Sequence, residues 1–309
     1  MRVIVTGGSG LIGRALVRDL TQDGHEVVIL SRRPGNVLGL PEGARAVYWD
    51  GSTADGWGHL VDGAGAVINL AGESIGGSGL LDVRWTPARK RRIRDSRLNA
   101  GKAVVEAIEA AEHRPEVLVQ ASAVGYYGTH TDDREITEDS PPGNDFLARI
   151  CVDWEQSTRA VERMGVRRII LRTGVVLSTR GGALPRQMLP FKFFAGGPLG
   201  SGQQWFPWIH LADEARAIRF LMENEDAQGP YNLCAPNPVT NAEFSRALGH
   251  AMRRPAMIPA PAAAFKLLFG EAAMILLEGQ KAVPRRLQAL GFTFEFPDVR
   301  VALENLIRS

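Results

Sequence analysis

The chain has 309 residues, of which 45% are hydrophobic and 23% charged, and its formal net charge is +2. This composition indicates a globular protein with a core large enough for about one and a half to two domains. The net charge is too small to indicate nucleic acid, although residues 84–97 are locally very basic, so we expect no nucleic-acid partner.

The cellular compartment is predicted from the cysteines and from the first residues. Cys151 and Cys234 lie far apart and form no metal-type or redox spacing, which favours a reducing compartment and predicts no metal site. The first predicted strand begins at residue 2 and leaves no room for a leader segment. We therefore expect a cytoplasmic protein.

Residues 1–13, MRVIVTGGSGLIG, place a glycine-rich turn between a short apolar strand and an amphipathic helix over 11–22. Glycines at these positions permit an unusual backbone, close approach to a pyrophosphate and close packing of the helix on the strand. The N–H groups and the positive dipole end of the helix favour an anion. With a second strand over 26–30, this order predicts a dinucleotide site. Its predicted contacts are Gly7, Ser9, Gly10, Leu11, Ile12 and Gly13.

The end of the second strand predicts which dinucleotide binds. An NAD site usually places Asp or Glu there for the ribose 2′-hydroxyl, whereas this chain has Ser31, Arg32 and Arg33. Arg32 can form forked hydrogen bonds to a 2′-phosphate, and Ser31 adds a hydroxyl beside it. NADP(H) is therefore the predicted cofactor, and a solvated basic loop is the alternative.

Strands and helices alternate over the next part of the chain. Buried strands are predicted over 44–49, 66–70, 117–121 and 167–172, and helices over about 90–111 and 146–164. This alternation predicts an α/β fold, a Rossmann-type doubly wound parallel sheet, over residues 1–177.

After residue 177 the chain becomes rich in glycine and proline, which is typical of loops that shape a substrate cleft. Residues 205–210 predict one short strand, and the helix over 211–224 is expected to join the Rossmann domain. Residues 178–210 and 225–309 predict a smaller C-terminal α/β cap. The most apolar stretch, 257–278, is interrupted by prolines and charges, so it predicts buried helices rather than a membrane span, and no membrane partner is expected.

Several further motifs occur along the chain, and they are specific as a set. They are NLAGE at 69–73, SR at 96–97, SAVGYYG at 122–128, RTGVVL at 172–177, GSGQ at 200–203, WIH at 208–210, NAEF at 241–244 and LEGQ at 277–280. Together with residues 6–13 they resemble the extended short-chain dehydrogenase/reductases, close to the nucleotide-sugar epimerases, and in particular the epimerase-like NADP-binding branch with a C-terminal domain of unknown function. The resemblance implies a Rossmann domain, bound NADP(H), and a cap that closes over a small-molecule substrate; a homodimer is left open.

The acid/base residues of that family are missing from their expected positions. Its extended members use Tyr-x-x-x-Lys on a helix, where the lysine lowers the pKa of the tyrosine. Counting back from Glu155, the tyrosine and lysine positions fall on Leu147 and Cys151, and the family's serine position falls on Ala123, with Ser122 one residue away. The residues therefore do not support an ordinary sugar-epimerase mechanism.

Substitute catalytic residues are predicted near the end of the strand over 117–121. Ser122 and Tyr127 are our candidates, with Tyr126 beside them, because ligands bind at the carboxyl ends of parallel strands. The alternatives are that Ser122 caps a turn and that the tyrosine rings form a cleft wall. Cys151 is expected in the core rather than as a nucleophile. His210 could act on substrate, and the alternative, which we expect, is that it orders the start of the following helix.

Other cofactor contacts are predicted along the edge of the sheet. Asp50 either accepts from the adenine amino group or forms a turn. The remaining predicted contacts are Leu70, Ala71, Gly72, Arg92, Arg97 and Val176; for Arg92 a solvated helix face is the alternative.

Two functions follow. The first is an NADP(H)-dependent oxidoreductase or epimerase-like enzyme acting on a small polar substrate, to which Gln203, Trp208 and Asn232 of the cap contribute. The second is a noncatalytic NADP(H)-binding sensor or regulatory protein, which the missing acid/base pair favours. The elaborate cap favours the enzyme.

Overall fold

The structure is a computed structural model that describes residues 1–77, 84–130 and 132–308. Its strands are β1 (Arg2–Thr6), β2 (Glu26–Ser31), β3 (Ala44–Tyr48), β4 (Ala66–Asn69), β5 (Val117–Ala123), β6 (Glu135–Ile136), β7 (Arg167–Thr173), β8 (Val175–Leu177), β9 (Trp205–Phe206), β10 (Trp208–His210), β11 (Gly229–Leu233), β12 (Val239–Thr240) and β13 (Lys281–Ala282). Its α-helices are α1 (Leu11–Gln22), α2 (Pro87–Ala110), α3 (Phe146–Gln156), α4 (Leu184–Lys192), α5 (Leu211–Glu223), α6 (Asn241–Met252), α7 (Ala262–Phe269), α8 (Met274–Leu277), α9 (Arg285–Ala289) and α10 (Val299–Arg308).

Seven strands form one parallel sheet in the order β3-β2-β1-β4-β5-β7-β11. The central strands are short apolar runs whose side chains are buried on both faces, as a sheet covered by helices requires. Helices α1 and α5 cover one face, and α2 and α3 cover the other. The predicted doubly wound Rossmann sheet is confirmed. The strand order reverses between β1 and β4, which is where such sheets bind ligands.

The edge strand β11 differs from the prediction, which placed residues 229–233 in the cap. These residues pair with β7 from Gly229 opposite Ile169 to Leu233 opposite Thr173. Pairing with β7 satisfies the main-chain groups of this segment, and Tyr231 and Leu233 join the core beneath α5. The Rossmann sheet therefore takes its last strand from the C-terminal part of the chain.

Two other predicted elements are each divided in the structure. The helix over 146–164 ends at Gln156, where the Ser157 hydroxyl donates to the Trp154 carbonyl at 2.7 Å, and a 3₁₀ helix follows over Arg159–Met164. The strand over 205–210 is interrupted at Pro207, which has no N–H to donate. As a result β9 pairs antiparallel with β12, whereas β10 pairs parallel with β8.

The cap has its own core, formed by α4, α6 and α10 around Trp208 and Phe244. The prediction of buried helices over 257–278 is wrong for α7 and α8, in which no residue is buried, and Leu267 of α7 is 76% exposed. Pro261 and Gly270 bound α7, so it has only about two turns. Among the described residues, no helix is long and apolar enough to cross a membrane.

Candidate functional site

A cleft opens at the carboxyl edge of the sheet, above the point where the strand order reverses. It consists of a cavity of about 990 Å³ and a second of about 260 Å³, which share Gly7, Gly10 and Leu70 as lining residues. The larger cavity runs from the glycine turn to the end of β2, and the smaller one runs from the same turn to β8. The two cavities share the glycine turn as lining and are together called here the sheet-edge cleft.

The glycine turn forms the floor of this cleft, as predicted from residues 6–13. Gly7 has a φ of +69°, and a Cβ there would lie 2.8 Å from the Leu70 carbonyl. A Cβ on Gly13 would lie 2.4 Å from the Gly7 oxygen, so only glycine lets α1 pack this closely. No side chain caps α1 and no acidic residue lies in its first turn. The first N–H groups of α1 therefore face the cleft and are available to bind an anion.

The end of β2 presents cationic side chains to the larger cavity. Ser31 and Arg32 line it as predicted, and Arg33 and Asn36 line it as well. The Ser31 hydroxyl accepts from the Arg33 N–H at 3.2 Å, which holds the turn after the strand. Within the described ranges no carboxylate pairs with either arginine. The two guanidinium groups are therefore available to a phosphate.

Asp50 forms a turn and also lines the larger cavity. Its carboxylate accepts from the backbone N–H groups of Ser52 and Thr53 at 2.7 and 2.9 Å. Partial burial alone would raise the pKa of Asp50, but these hydrogen bonds and those from both hydroxyls lower it to about 2. Asp50 therefore forms a turn, which was the alternative prediction for it, and its contact with an adenine stays a prediction. Trp49 lies in the same wall and was not predicted.

The opposite wall is formed by Leu70, Ala71, Gly72 and Glu73. The Thr6 hydroxyl oxygen, buried at the end of β1, accepts from the Ala71 N–H at 3.1 Å and fixes the start of this wall. Leu70, Ala71 and Gly72 thus line the cleft, and their contact with a cofactor stays a prediction. Glu73, Ser74 and Ser96 also line the cavity and were not predicted, although Glu73 and Ser96 belong to the motifs NLAGE and SR.

The structure places Arg92 and Arg97 behind this wall rather than in the lining of the cleft. Arg92 is exposed and its Nε lies 3.5 Å from a Glu73 carboxylate oxygen. Arg97 donates to the carbonyls of Glu73 and Ile93 at 3.0 and 2.9 Å and lies over the ring of Trp154. Both therefore support the segment that forms the wall, and direct contact with a cofactor stays a prediction.

The far end of the cleft lies between α1 and the start of the cap. Val176 lines the smaller cavity as predicted, together with Val175, Gly182 and Ala183. Arg186 of α4 donates to the carbonyls of Gly76 and Gly77, both at 2.8 Å. The first segment of the cap thus covers the glycine turn and is tied to the opposite wall.

A buried ion pair lies beneath the carboxyl ends of β5 and β7. Arg172 binds both carboxylate oxygens of Glu155 at 3.0 Å, and the two side chains are 5% and 8% exposed. Burial alone would lower the pKa of Arg172, but the Glu155 carboxylate raises it above its usual range. The Ser122 hydroxyl donates to the same carboxylate at 2.7 Å. Ser122 is therefore a hydrogen-bond donor to this ion pair.

Residues Val124–Tyr127, called here the tyrosine turn, form a 3₁₀ helix directly after β5. The Tyr127 hydroxyl donates to Asn232 Oδ1 at 2.6 Å and accepts from Arg172 at 3.0 Å. Burial raises the pKa of Tyr127 well above its usual value, although Arg172 acts in the opposite direction. Tyr127 therefore keeps its proton and belongs to the Arg172 network in this state.

Tyr126 differs from Tyr127 in its surroundings. It is half-buried, and the Arg172 guanidinium lies over its ring, 3.5 Å from the centroid. Tyr127 meets the same ring edge-on at 5.3 Å. Across the ranges that the structure describes, no residue forms a hydrogen bond with the Tyr126 hydroxyl. The network thus holds the Tyr126 ring and leaves its hydroxyl available.

The face of α3 that carries the acid/base pair in extended relatives is packed against the tyrosine turn. A Cβ on Gly125 would lie 3.5 Å from Leu147 Cβ and 3.9 Å from Cys151 Sγ. Burial, and secondarily the Glu155 carboxylate, raise the pKa of Cys151 to about 12, so this thiol stays protonated in the core. Neither position supplies a proton donor or a base.

The predicted substrate contacts of the cap are spread over different environments. Gln203 is exposed, Trp208 is 1% exposed in the core of the cap, and Asn232 is fully buried in β11. His210 accepts from the Ala212 N–H at 3.1 Å at the start of α5, as its alternative reading predicted. Burial lowers the pKa of His210. The three predicted substrate contacts therefore lie in different environments, and their contact with a substrate stays a prediction.

Two family models match the chain. One, described as the NAD dependent epimerase/dehydratase family, matches residues 3–234. The other, described as a domain of unknown function, DUF1731, matches residues 260–306. The first match covers the Rossmann domain, the first cap segment over 178–210 and β11, and the second covers the last part of the cap.

Proteins of known sequence or structure resemble the whole chain. Epimerase family protein SDR39U1 of Mus musculus is 40% identical over 99% of this chain and 100% of its own length. The crystal structure of human SDR39U1 (isoform 2) with NADPH has 37% identity and a TM-score of 0.89, covering 100% of both chains. A nucleoside-diphosphate sugar epimerase from Corynebacterium glutamicum has 33% identity and a TM-score of 0.77, covering 99% of this chain and 58% of its own. The chain therefore belongs to the NAD dependent epimerase/dehydratase family, in the branch that carries a DUF1731 domain.

Proposed function

We propose that the chain is an NADP(H)-dependent enzyme, an oxidoreductase or epimerase-like protein, that transfers hydride to or from a small polar substrate. One observation carries the proposal: the two cavities of the sheet-edge cleft share the glycine turn as lining, and together they extend from Arg32 to Val176. Arg172, which holds the tyrosine turn, lies at the end of the strand that leads into β8. A cofactor extended along the cleft would place its reactive end near that turn.

The residues of the cleft fit NADPH. The first N–H groups of α1 suit a pyrophosphate, and Arg32 with Arg33 suits the 2′-phosphate that distinguishes NADPH from NADH. The NADPH present in the crystal structure of human SDR39U1 supports the same assignment. Bound in this cleft, NADPH would supply a hydride from its nicotinamide ring.

We assign the proton donor to Tyr126. Its hydroxyl donates its proton to the oxygen of a substrate carbonyl as the carbonyl carbon accepts the hydride, which gives an alcohol, and solvent then returns the proton to the phenol oxygen. Tyr127 and Ser122, the two catalytic candidates from the sequence, act through Arg172 and Glu155 and hold the Tyr126 ring in place.

The name of the Corynebacterium relative supports one class of substrate, a sugar linked to a nucleoside diphosphate. Such a molecule presents the polar hydroxyl and carbonyl groups on which hydride chemistry acts. In an epimerase-like reaction, the hydride removed from the sugar returns to it, and no net reduction is seen.

A noncatalytic NADP(H)-binding sensor is the second candidate function. The observation that favours it is the environment of Tyr127 and Ser122, whose hydroxyls are both bound within the protein. A sensor requires the cleft but not an available phenol, so the Tyr126 hydroxyl distinguishes the two candidates.

The test is transfer of deuterium from NADPH labelled at either face of nicotinamide C4, in the presence of nucleoside-diphosphate sugars or a polar metabolite extract. Mass spectrometry then detects labelled products. We expect a labelled product with the native protein, its loss in Tyr126→Phe, and no change in Tyr48→Phe, whose ring is 61% exposed on β3. If the hydride returns to the sugar, the product is an epimer of the substrate, and NMR detects the inverted carbon. Bound NADPH with neither reaction would favour the sensor.

A further inference from the structure

The tyrosine turn is held from two sides, and only one of them is the Arg172 network. On the other side lies Gln280, which is 6% exposed and belongs to the part of the chain that matches DUF1731. Its side-chain amide donates to the carbonyl of Val124, the first residue of the turn, at 2.6 Å. A contact between residues 156 positions apart thus fixes the start of the turn.

The chain on either side of Gln280 follows the loop that leaves the tyrosine turn. The His130 N–H donates to the Gly279 carbonyl at 2.8 Å, and the Thr129 hydroxyl donates to the Glu278 carboxylate at 2.9 Å. Beyond Gln280, β13 pairs in parallel with β6. Residues 278–282 therefore contact residues 129 and 130 and pair with residues 135 and 136, which restrains the exit of the turn.

The same segment is fixed from behind by β9. A Cβ on Gly279 would lie 1.9 Å from the Trp205 carbonyl oxygen, so no other residue fits without displacing the main chain. Gln204 donates to the Leu276 carbonyl at 3.0 Å. The segment is therefore packed against the start of β9 as well as against the tyrosine turn.

A second connection reaches the other end of the turn. Asn232 accepts the hydrogen bond from Tyr127 and donates through its amide nitrogen to the Val283 carbonyl at 3.0 Å. The Val124 carbonyl and the Tyr127 hydroxyl are therefore both connected to residues 280–283. Tyr126 lies between these two anchored points.

We infer that the DUF1731 part of the chain positions the tyrosine turn, and that Gln280 is the positioning residue through which it acts. The inference rests on the proposed function, because the role of Gln280 is to hold the ring of Tyr126 where its hydroxyl meets substrate. Gln280 lines neither cavity of the sheet-edge cleft. It acts through the Val124 carbonyl.

The test compares Gln280→Glu and Gln280→Ala with the same substitutions at Gln288, an exposed residue of α9 in the same part of the chain. We expect unchanged NADPH affinity, and a fall in deuterium transfer of about 10- to 100-fold for both Gln280 variants, because small displacements of a catalytic group have effects of this size. The Gln288 variants keep the native rate.

The pH profile separates positioning from general damage. A carboxylate at residue 280 has no proton to donate to the Val124 carbonyl, whereas a protonated carboxyl group has one. Transfer by Gln280→Glu, measured relative to the native protein at each pH, should rise as the pH falls, and Gln280→Ala should show no such recovery. A Gln280→Glu rate equal to the native rate, or a deficit independent of pH, would overturn the inference.

Hydrogen exchange tests the inference independently of activity. With Gln280→Ala we expect faster exchange of the Gly128 and His130 amides, whose hydrogen bonds lie within and directly after the turn, than with Gln288→Ala. If the native protein neither transfers deuterium nor inverts a sugar carbon, the proposed function fails, but this measurement still decides the role of Gln280. Unchanged exchange at both amides would mean that Gln280 does not hold the turn.

Discussion

The sheet-edge cleft and the tyrosine turn lie at the same edge of one sheet, but their polar groups are used differently. In the cleft, the first N–H groups of α1 and the guanidinium groups of Arg32 and Arg33 have no carboxylate partner among the described residues. Around the turn, Arg172 contacts Glu155, Tyr127 and the Glu138 carbonyl, and its donors are used within the protein.

The difference shows which part of the site waits for a ligand. Donors that face an open groove gain their hydrogen bonds when a phosphate binds, so they contribute to affinity. Donors that already have buried partners contribute to stability and to the orientation of their neighbours. Substitutions in the two regions should therefore change different measurements.

The largest effect is expected from breaking the buried ion pair. Arg172→Ala leaves the Glu155 carboxylate buried without its partner, and we expect a loss of about 3–5 kcal/mol in the free energy of unfolding. Arg285→Ala is the matched control, because Arg285 and Glu135 form an exposed pair at 2.7 Å and a loss of only about 0–1 kcal/mol is expected there. Urea unfolding measures both. Similar losses in the two variants would mean that the network does not stabilise the turn region.

Glu214 should make stability depend on pH. This carboxyl group is 1% exposed at the start of α5, where it accepts from the Thr173 hydroxyl at 2.9 Å, and burial raises its pKa to about 8. The folded state then binds a proton that the unfolded chain releases near its ordinary value of 4.5. The stability contributed by the protonated group is therefore complete below about pH 4.5 and is lost as the pH rises through about 8.

The variant Glu214→Gln removes this dependence. We expect it to be more stable than the native protein at pH 8 by roughly 4 kcal/mol and to have a flatter pH profile in thermal unfolding. Glu109→Gln, an exposed position on α2, should keep the native profile. If Glu214→Gln retained the native slope between pH 5 and 8, the slope would belong to other groups.

The sequence was sufficient to predict the sheet-edge cleft. The glycine turn, the end of β2 and the buried strands are local patterns, and each depends on residues close together in the chain. Their predicted geometry agrees with the structure from Gly7 to Val176. The family membership followed from the same motifs.

The turn region was not predictable in the same way, because its contacts join distant residues. Tyr127 and Asn232 are 105 residues apart, and Gln280 and Val124 are 156 apart. The sequence placed Asn232 in the cap, since nothing local shows that residues 229–233 pair with β7. It also identified Tyr127 as a candidate without the hydrogen bonds that distinguish it from Tyr126.

The next largest effect is expected on NADPH affinity, when the cation that faces the 2′-phosphate is removed. Arg32→Ala should weaken NADPH binding by about 10- to 100-fold, since charge-assisted hydrogen bonds to the 2′-phosphate are lost. Binding of NADH, which lacks that phosphate, should change little. Fluorescence titration at fixed ionic strength measures both cofactors, with Arg18→Ala on the exposed side of α1 as the control. Equal losses for NADPH and NADH would contradict the assignment of Arg32.

The smallest effect on NADPH binding is expected for a substitution at Tyr127. This substitution tests most directly whether the tyrosine turn is separate from the sheet-edge cleft. Tyr127→Phe removes the hydroxyl that joins Asn232 to Arg172. We expect a loss of about 1–2 kcal/mol in unfolding free energy, because the buried Asn232 oxygen loses its partner. NADPH affinity should be unchanged, since Tyr127 does not line the cleft.

Tyr126→Phe is the matched substitution one residue away. It removes a hydroxyl that bonds to none of the described residues, so unfolding free energy should stay within about 0.5 kcal/mol of the native value while deuterium transfer is lost. A large loss of NADPH affinity in Tyr127→Phe would instead place that ring in the cofactor site. If Tyr127→Phe abolished deuterium transfer and Tyr126→Phe did not, the proton donor would be Tyr127. The hydrogen bond from the Tyr127 hydroxyl to Asn232 would then have to break during the reaction.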